Sequence, residues 1–266
     1  QIDLVLHNAD HLYISDSEEG ELSILQSEIV KMTLRIREQN AMLKKEKEHL
    51  ADSLADIAHQ LRTPLTSINL ILSLLENGPD GNERDNLLWE AEELLARMDW
   101  LLTALLKLSR LDAGIVEFRN DQVDVKCMID AALKPLSITM ELHGISLGTE
   151  IPEGLVIAGD SDWLSEAVRN ILKNCVESVG GNGRIEIVCE DNLLYTEIVI
   201  RDNGAGFKEE DLYYLFDRFY RGKNSDTAGF GIGLALCRTI ITRQGGTVSA
   251  GNHPQGGAMF CIRFPK

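Results

Sequence analysis

The chain has 266 residues, of which 26% are charged and 44% hydrophobic, with a formal net charge of −16. That length accommodates one or two domains with a sizeable core, and the acidic balance, offset by no basic stripe, argues against direct nucleic-acid binding. The five cysteines, Cys127, Cys175, Cys189, Cys237 and Cys261, form no CxxC pair, which favours free thiols over a disulfide framework or a metal cluster.

Residues 1–17 carry no clear pattern. From Glu18 to Leu50, Leu22, Leu25, Ile29, Met32, Ile36 and Leu43 recur at spacings of three, four and seven on a highly charged background. That is a coiled-coil-like seam. The bland alternative is a solvated amphipathic helix, but the seam runs unbroken toward His59, which favours a dimer-forming signalling helix. The same helix is predicted to continue to about Glu76. The cluster NGPDGNERD then signals a turn, and a second helix is predicted over about Asn86–Leu111. One of its faces carries Leu88, Ala91, Leu95, Met98, Leu102, Leu105 and Leu108, and Leu87, Leu94, Leu101 and Leu106 widen it. A stripe this wide is more than one partner helix covers, so two hairpins are expected to pair into a four-helix bundle.

From about Asp121 the pattern changes. Strand-like runs are DQVDV, ISLGTEI, GLVIAG, RIEIVCED, LYTEIVIRD, GTVSAG and AMFCIRFP, and helical runs are Cys127–Leu136, Ser161–Val179 and Gly231–Gln244. This order predicts an α/β sandwich with helices on one face of a mixed sheet. No apolar run approaches the ~20 residues of a membrane span, and no signal peptide is present. The chain opens at Gln1 in what reads as mid-helix, so it is expected to be a fragment of a longer protein.

Within the first helix, SLADIAHQLRTPLTSINLILSLLE places Pro64 in the interior. A proline there removes a hydrogen bond and clashes with the carbonyl four residues back, on Gln60, at a cost of roughly 3 kcal/mol. With Leu54, Ile57, Ala58, Leu61, Leu65, Ile68, Leu72 and Leu75 taken as the core, His59 falls about 160° away, on the solvent face, with Thr63 one turn along. An exposed histidine usually has no special role. Here a distorted turn and the Arg62 cation adjoin it, and a neutral imidazole is a competent nucleophile near pH 7.

Four further signals follow. Asn170 and Asn174, in NILKN, share a helix face and offer hard neutral oxygens suited to Mg²⁺ that keeps waters and phosphates as its other ligands. Asp202 ends a strand in RDNGAGF, where Gly204 and Gly206 let the chain approach a ligand and the carboxylate can accept from an exocyclic amine such as that of adenine. In AGFGIGL, Gly229, Gly231 and Gly233 lead into a helix start, followed by Leu234, where backbone N–H groups can cradle phosphate. This is neither a Rossmann fingerprint nor a P-loop. Between the last two lies Lys208–Ala228, expected as a mobile lid, in which FDRFYRG offers Arg218 and Arg221 to phosphates and Phe216 and Phe219 as anchors.

Taken together, HQLRTPL, NILKN, DNGAG, FDRFYR and GFGIGL resemble, in order and spacing, the H, N, G1, F and G2 boxes of two-component sensor histidine kinases, over roughly Ala51–Pro265. The resemblance implies residues 1–50 as a signalling linker, with a short HAMP-like match in SEEGELSILQSEI. It also implies a dimerisation and phosphotransfer hairpin at 51–115 and a catalytic ATP-binding domain at 121–266. It implies ATP and Mg²⁺ as cofactors, a homodimer, and a response-regulator receiver domain as partner. The setting it implies is the cytoplasmic part of a bacterial inner- or plasma-membrane protein whose sensor segment lies upstream. Residue by residue, it makes His59 the phosphoacceptor, with Asn174 on Mg²⁺, Asn170 beside the phosphates, Asp202 on adenine, Arg221 on the γ-phosphate and the Gly229–Gly233 loop closing on the phosphate chain. Thr63 matches the position that aligns a water for dephosphorylating the regulator.

One departure stands out. The family usually has a carboxylate directly after the histidine, and here it is Gln60, which can orient the ring but is a poor base. Two alternatives follow. One is an ATPase of the gyrase and chaperone type, which would need a glutamate base where Asn170 stands. The other is a phosphatase-dominant or nucleotide-gated non-catalytic dimer scaffold. Leu70 and Leu74, on the His59 face, are read as a docking surface for the regulator, with burial against the second helix as the alternative.

Overall fold

The structure is a computed structural model that describes residues 21–78, 80–222 and 230–266, without the side chains of residues 21–26, 46, 49–54. The HAMP-like match and the lid expectation therefore fall partly outside the described residues, as does Gly229. The chain divides into two compact units, Gln1–His59 and Gln60–Lys266.

Helix α1 spans Glu21–Glu76 and runs unbroken through Pro64. In the first unit, Ile29, Met32, Ile36 and Leu43 of the seam are all exposed in the single chain. In the second unit, the end of α1 buries Pro64, Ile68 and Ile71 and half-buries Leu61 and Leu75. These recur at spacings of three and four, so the packed face is centred on Pro64 and Ile68. Leu65 and Leu72, expected in the core, are exposed, and so is Ala58 at the end of the first unit. Leu70 and Leu74 are exposed as well.

Helix α2 spans Gly81–Asp112, beginning five residues before the expected Asn86. Asp80 takes an extended conformation at its N-cap and Glu83 lies in the first turn, where a negative charge meets the positive end of the helix dipole. Leu101, Ala104, Leu108 and Leu111 are buried, and Leu87, Ala91, Leu94, Met98 and Leu105 are partly so. A second stripe, Leu88, Leu95, Leu102 and Leu106, is 42% to 62% exposed. The wide stripe seen in the sequence is thus two faces, of which one chain covers only the first.

The remaining elements are β1 Asp121–Asp124, α3 Val125–Leu133, a 3-10 turn Lys134–Leu136, α4 Ser137–Leu142, β2 Ser146–Glu150, β3 Val156–Gly159, α5 Ser161–Val179, β4 Arg184–Asp191, β5 Tyr195–Asp202, α6 Gly233–Arg243, β6 Thr247–Asn252 and β7 Ala258–Pro265. All seven strand-like runs are strands. Helix α4 was not anticipated. The main sheet has the order β2-β4-β5-β7-β6, with β2 parallel to β4 and the other pairs antiparallel. Strands β1 and β3 form a separate antiparallel pair.

Strict alternation explains the layering. In β4, Ile185, Ile187 and Cys189 point inward; in β5, Thr196, Ile198 and Ile200 do. They meet Met128 and Ile129 of α3, Ile171 and Leu172 of α5, and Leu236 and Ile240 of α6 in one continuous core. Each fully buried isoleucine contributes about 1.5–3 kcal/mol. The parity of β5 puts Asp202 on the same buried side, so a carboxylate occupies the end of a row of apolar side chains.

Helix α2 also packs on this sandwich. Leu101 and Ala104 are buried with Ile232, flanked by Leu61, Trp100, Leu105, Phe219 and Phe230. Lys107 pairs with Glu166 of α5 at 3.0 Å, and burial, followed by the nearby Arg169 charge, lowers the Lys107 ammonium from its ordinary pKa.

Candidate nucleotide site

The sheet opens on one side into a cleft of about 740 Å³. Its floor is α5, whose apolar residues Leu164, Ala167, Val168, Ile171 and Cys175 face the core, leaving Asn170 and Asn174 to line the cleft. Asn170 is buried, and its Nδ2 donates to the Glu166 carbonyl at 2.8 Å. That orientation leaves its Oδ1 for the cleft. A Cβ at Gly233 would lie 2.9 Å from this oxygen, so only glycine allows α6 to begin this close to Asn170.

Helix α6 starts at Gly233 with no side-chain cap. Its first-turn N–H groups lack a side-chain acceptor and the dipole is positive there, which suits an anion. Gly231 approaches the backbone of Phe219 and Tyr220 with φ +69°; a Cβ would meet the Tyr220 carbonyl oxygen at 2.5 Å. Gly231, Gly233 and Leu234 all line the cleft.

Just before the turn that forms the other wall, Asp202 Oδ1 accepts from Gly204 N at 2.8 Å and Ala258 N at 3.1 Å. Its Oδ2 is buried and, among the described residues, has no hydrogen-bond partner. An orphaned buried carboxylate oxygen costs free energy unless a ligand donor reaches it, and an exocyclic amine is such a donor. Beside it, Cys175 is pushed well above the usual thiol pKa, by burial first and then by the Asp202 carboxylate, so it remains a neutral thiol. Gly204 passes within a Cβ's reach of Ser178 O, at 2.7 Å. Ala205, Gly206 and Phe207 line the cleft, and Asn252 holds this turn by accepting from Phe207 N and donating to Phe207 O, both at 2.7 Å.

Arg221 lines the cleft but Arg218 does not. Arg218 instead pairs with Asp112 of α2 at 2.7 Å. Phe216 packs into the sandwich core and Phe219 against Leu101 and Ile232, as anchors should. The sequence reading missed Trp100, Lys173, Lys208 and Asp211, which all line the cleft. Asp211 is buried, and the Tyr220 hydroxyl donates to it at 2.5 Å. That bond raises the Tyr220 pKa to about 12.

His59 belongs to the first unit and is exposed on α1. In the second unit, Gln60 is half-buried and Arg62 and Thr63 are exposed. The Arg62 carbonyl accepts from Thr66 Oγ1 at 2.8 Å. Among the described residues no helix is long and apolar enough to cross a membrane.

Residues 49–114 match the His Kinase A (phospho-acceptor) domain, and residues 159–266 match the histidine kinase-, DNA gyrase B- and HSP90-like ATPase family. The chain is 30% identical to sporulation kinase A of Bacillus subtilis over 234 residues, covering 87% of this chain and 37% of that protein. It is 28% identical to the sensor protein VanS of Enterococcus faecium over 254 residues, covering 94% and 65%. The first four curated relatives are covered over 27% to 65% of their own length. Among solved structures, the histidine kinase ThkA in complex with the response regulator TrrA has a TM-score of 0.69 at 22% identity, over 84% of this chain and 64% of that one. The Acinetobacter baumannii histidine kinase AdeS has a TM-score of 0.63 at 22% identity, over 78% and 97%. The phospho-acceptor match sets the chain apart from the gyrase and chaperone ATPases that share the second fold. A helical hairpin carrying the phospho-acceptor module, joined to the ATPase sandwich, makes this chain a portion of a two-component sensor histidine kinase.

Proposed function

We propose that this chain phosphorylates itself on His59 from Mg-ATP and passes the phosphoryl group to an aspartate of a response-regulator receiver domain. The observation that carries the reading is the buried, unpartnered Asp202 Oδ2 just before the Ala205–Phe207 turn that lines a glycine-built cleft, which ends at the uncapped start of α6. Adenine's amine satisfies the first feature, and a phosphate chain the second. Asn170 and Asn174 supply amide oxygens of the kind that hold Mg²⁺, which would neutralise phosphate charge as the terminal group leaves. Arg221, Lys173 and Lys208 add cations on the same cleft.

In the transfer step a ring nitrogen of His59 attacks the terminal phosphorus. A P–N bond forms, the bond to the ADP oxygen breaks, and the ring proton departs to solvent or to a nearby acceptor. Gln60 can accept a hydrogen bond from the ring but cannot take that proton. This keeps a second reading, a phosphatase-dominant protein in which Thr63 aligns the water on the regulator. The uncovered leucine stripe of α1 and α2 supports a homodimer through a four-helix bundle, and exposed Leu70 and Leu74 support docking of the regulator below His59. We assign residues 1–50 to the signalling linker, 51–115 to the phosphotransfer hairpin and 121–266 to the catalytic domain. The parent is read as a bacterial membrane sensor with this part in the cytoplasm.

The test is acid-labile, base-stable phosphate after incubation with Mg-ATP. His59→Ala should abolish it while leaving ATP affinity within about twofold, since no cleft feature depends on that ring. Labelling that survives His59→Ala would remove His59 from the reaction.

A further inference from the structure

The hairpin helix contributes a wall to the cleft. Trp100 of α2 lines it, stacks on Phe230 with ring centroids 6.2 Å apart and planes 16° from parallel, and lies under Lys173 Nζ at 4.6 Å. Lys173, one turn from Asn170 and directly before Asn174, also reaches Glu177 at 3.8 Å. Phe230 directly precedes Gly231 and the opening turn of α6. Lys173, one of the cleft cations that a triphosphate would recruit, is therefore one that Trp100 holds. A cation cannot sit over an indole face and on a phosphate at full strength in both places. Below this contact, Arg218 on Asp112 at 2.7 Å and Arg243 Nη2 on the Asp112 carbonyl at 3.2 Å tie the sandwich to the end of α2.

We infer that Trp100 is a nucleotide-sensitive contact: it holds Lys173 and Phe230 against the hairpin, and triphosphate binding competes with that hold and releases the sandwich from α2. The inference rests on reading the cleft as the nucleotide site. Linkage makes the competition reciprocal. If triphosphate weakens the Trp100 contact, then removing the contact tightens triphosphate by the same factor.

Affinity for the non-hydrolysable analogue AMPPNP with Mg²⁺, measured by titration calorimetry on the full chain, tests this. Trp100→Ala should bind about 5- to 30-fold more tightly than the parent. Trp100→Phe, which keeps a ring under Lys173, should stay close to parental. Asp112→Asn, far from the phosphates, should tighten binding less. Equal or weaker binding by Trp100→Ala overturns the inference; weaker binding would make Trp100 a simple wall of the nucleotide site. Should Trp100→Ala fail to fold, a chain with Trp89→Phe and Trp163→Phe leaves Trp100 as the sole emitter. AMPPNP should then shift its emission to the red as it loses Phe230 and Lys173, and an unshifted or blue-shifted spectrum overturns the inference. A parental chain that binds no AMPPNP would sink the nucleotide reading itself, a result distinct from both.

Discussion

The sandwich and the hairpin bury apolar surface in different ways. In the sandwich, three helices cover one sheet face, and the inward side chains of β4 and β5 form one continuous core with them. Helix α2 of the hairpin lends Leu101, Leu108 and Leu111 to the sandwich but leaves Leu88, Leu95, Leu102 and Leu106 in water. A single chain therefore closes the core beneath the cleft and leaves a leucine stripe of the hairpin uncovered. Stability of the first should not depend on protein concentration, while that of the second should.

The largest expected blow to the self-sufficient half is Gly257→Ala. Gly257 has φ +88°, and a Cβ would lie 1.9 Å from the Asp202 carbonyl oxygen. We expect a loss of about 4 kcal/mol, read from the urea midpoint of the sandwich transition. A loss below about 1 kcal/mol would mean the closure is far looser than drawn. Next is Leu95→Glu, which places a charge in the uncovered stripe. It should weaken the dimer by about 3 kcal/mol, roughly a hundredfold in dissociation constant, in sedimentation velocity. The melting of the sandwich should not move. A variant that stays dimeric would show that the second copy covers some other face.

A smaller effect is expected at Asp202→Ala, which removes the buried acceptor. ATP affinity should fall by about 1.5–3 kcal/mol, while autophosphorylation at saturating ATP recovers. Parental affinity would place adenine elsewhere. The last is Gln60→Glu, which supplies a base beside the acceptor. We expect a rise in single-turnover phosphorylation at the low, roughly hundredfold, end of general-base effects, with nucleotide affinity and sandwich stability unchanged. An unaltered rate would mean proton removal does not limit the step.

Legibility differed along the same line. The strands announced themselves through period-two alternation bounded by glycines, and the parity that buries Ile198 and Ile200 also buries Asp202. Helical spacing put Asn170 and Asn174 on one face, and that face lines the cleft. The hairpin helices were legible as helices, but not in which leucines one chain covers, because a helical wheel merges two adjacent stripes. The start of α2 was missed because Gly81 and Asn82 read as breakers, although the chain turns helical directly after the extended Asp80 and carries Glu83 in its first turn. Arg218 looked like a companion to Arg221, three residues apart in one motif. Its partner Asp112 lies 106 residues away, and no local pattern encodes such a pair. Trp100 and Lys173 escaped for the same reason, since each looks like an ordinary helix residue until α2 meets α5.

Strands β5 and β7 lie side by side, with Arg201 opposite Met259. Asp202 fastens the far strand through Ala258 N, and everything from Asn203 to Gly257 leaves and returns at this one clasp. The two feet of that excursion are pinned whatever happens along it. Closing a longer loop between fixed ends costs only about 0.6 kcal/mol per doubling of length. The clasp thus holds the edge of the nucleotide cleft and the return strand β7 with one carboxylate.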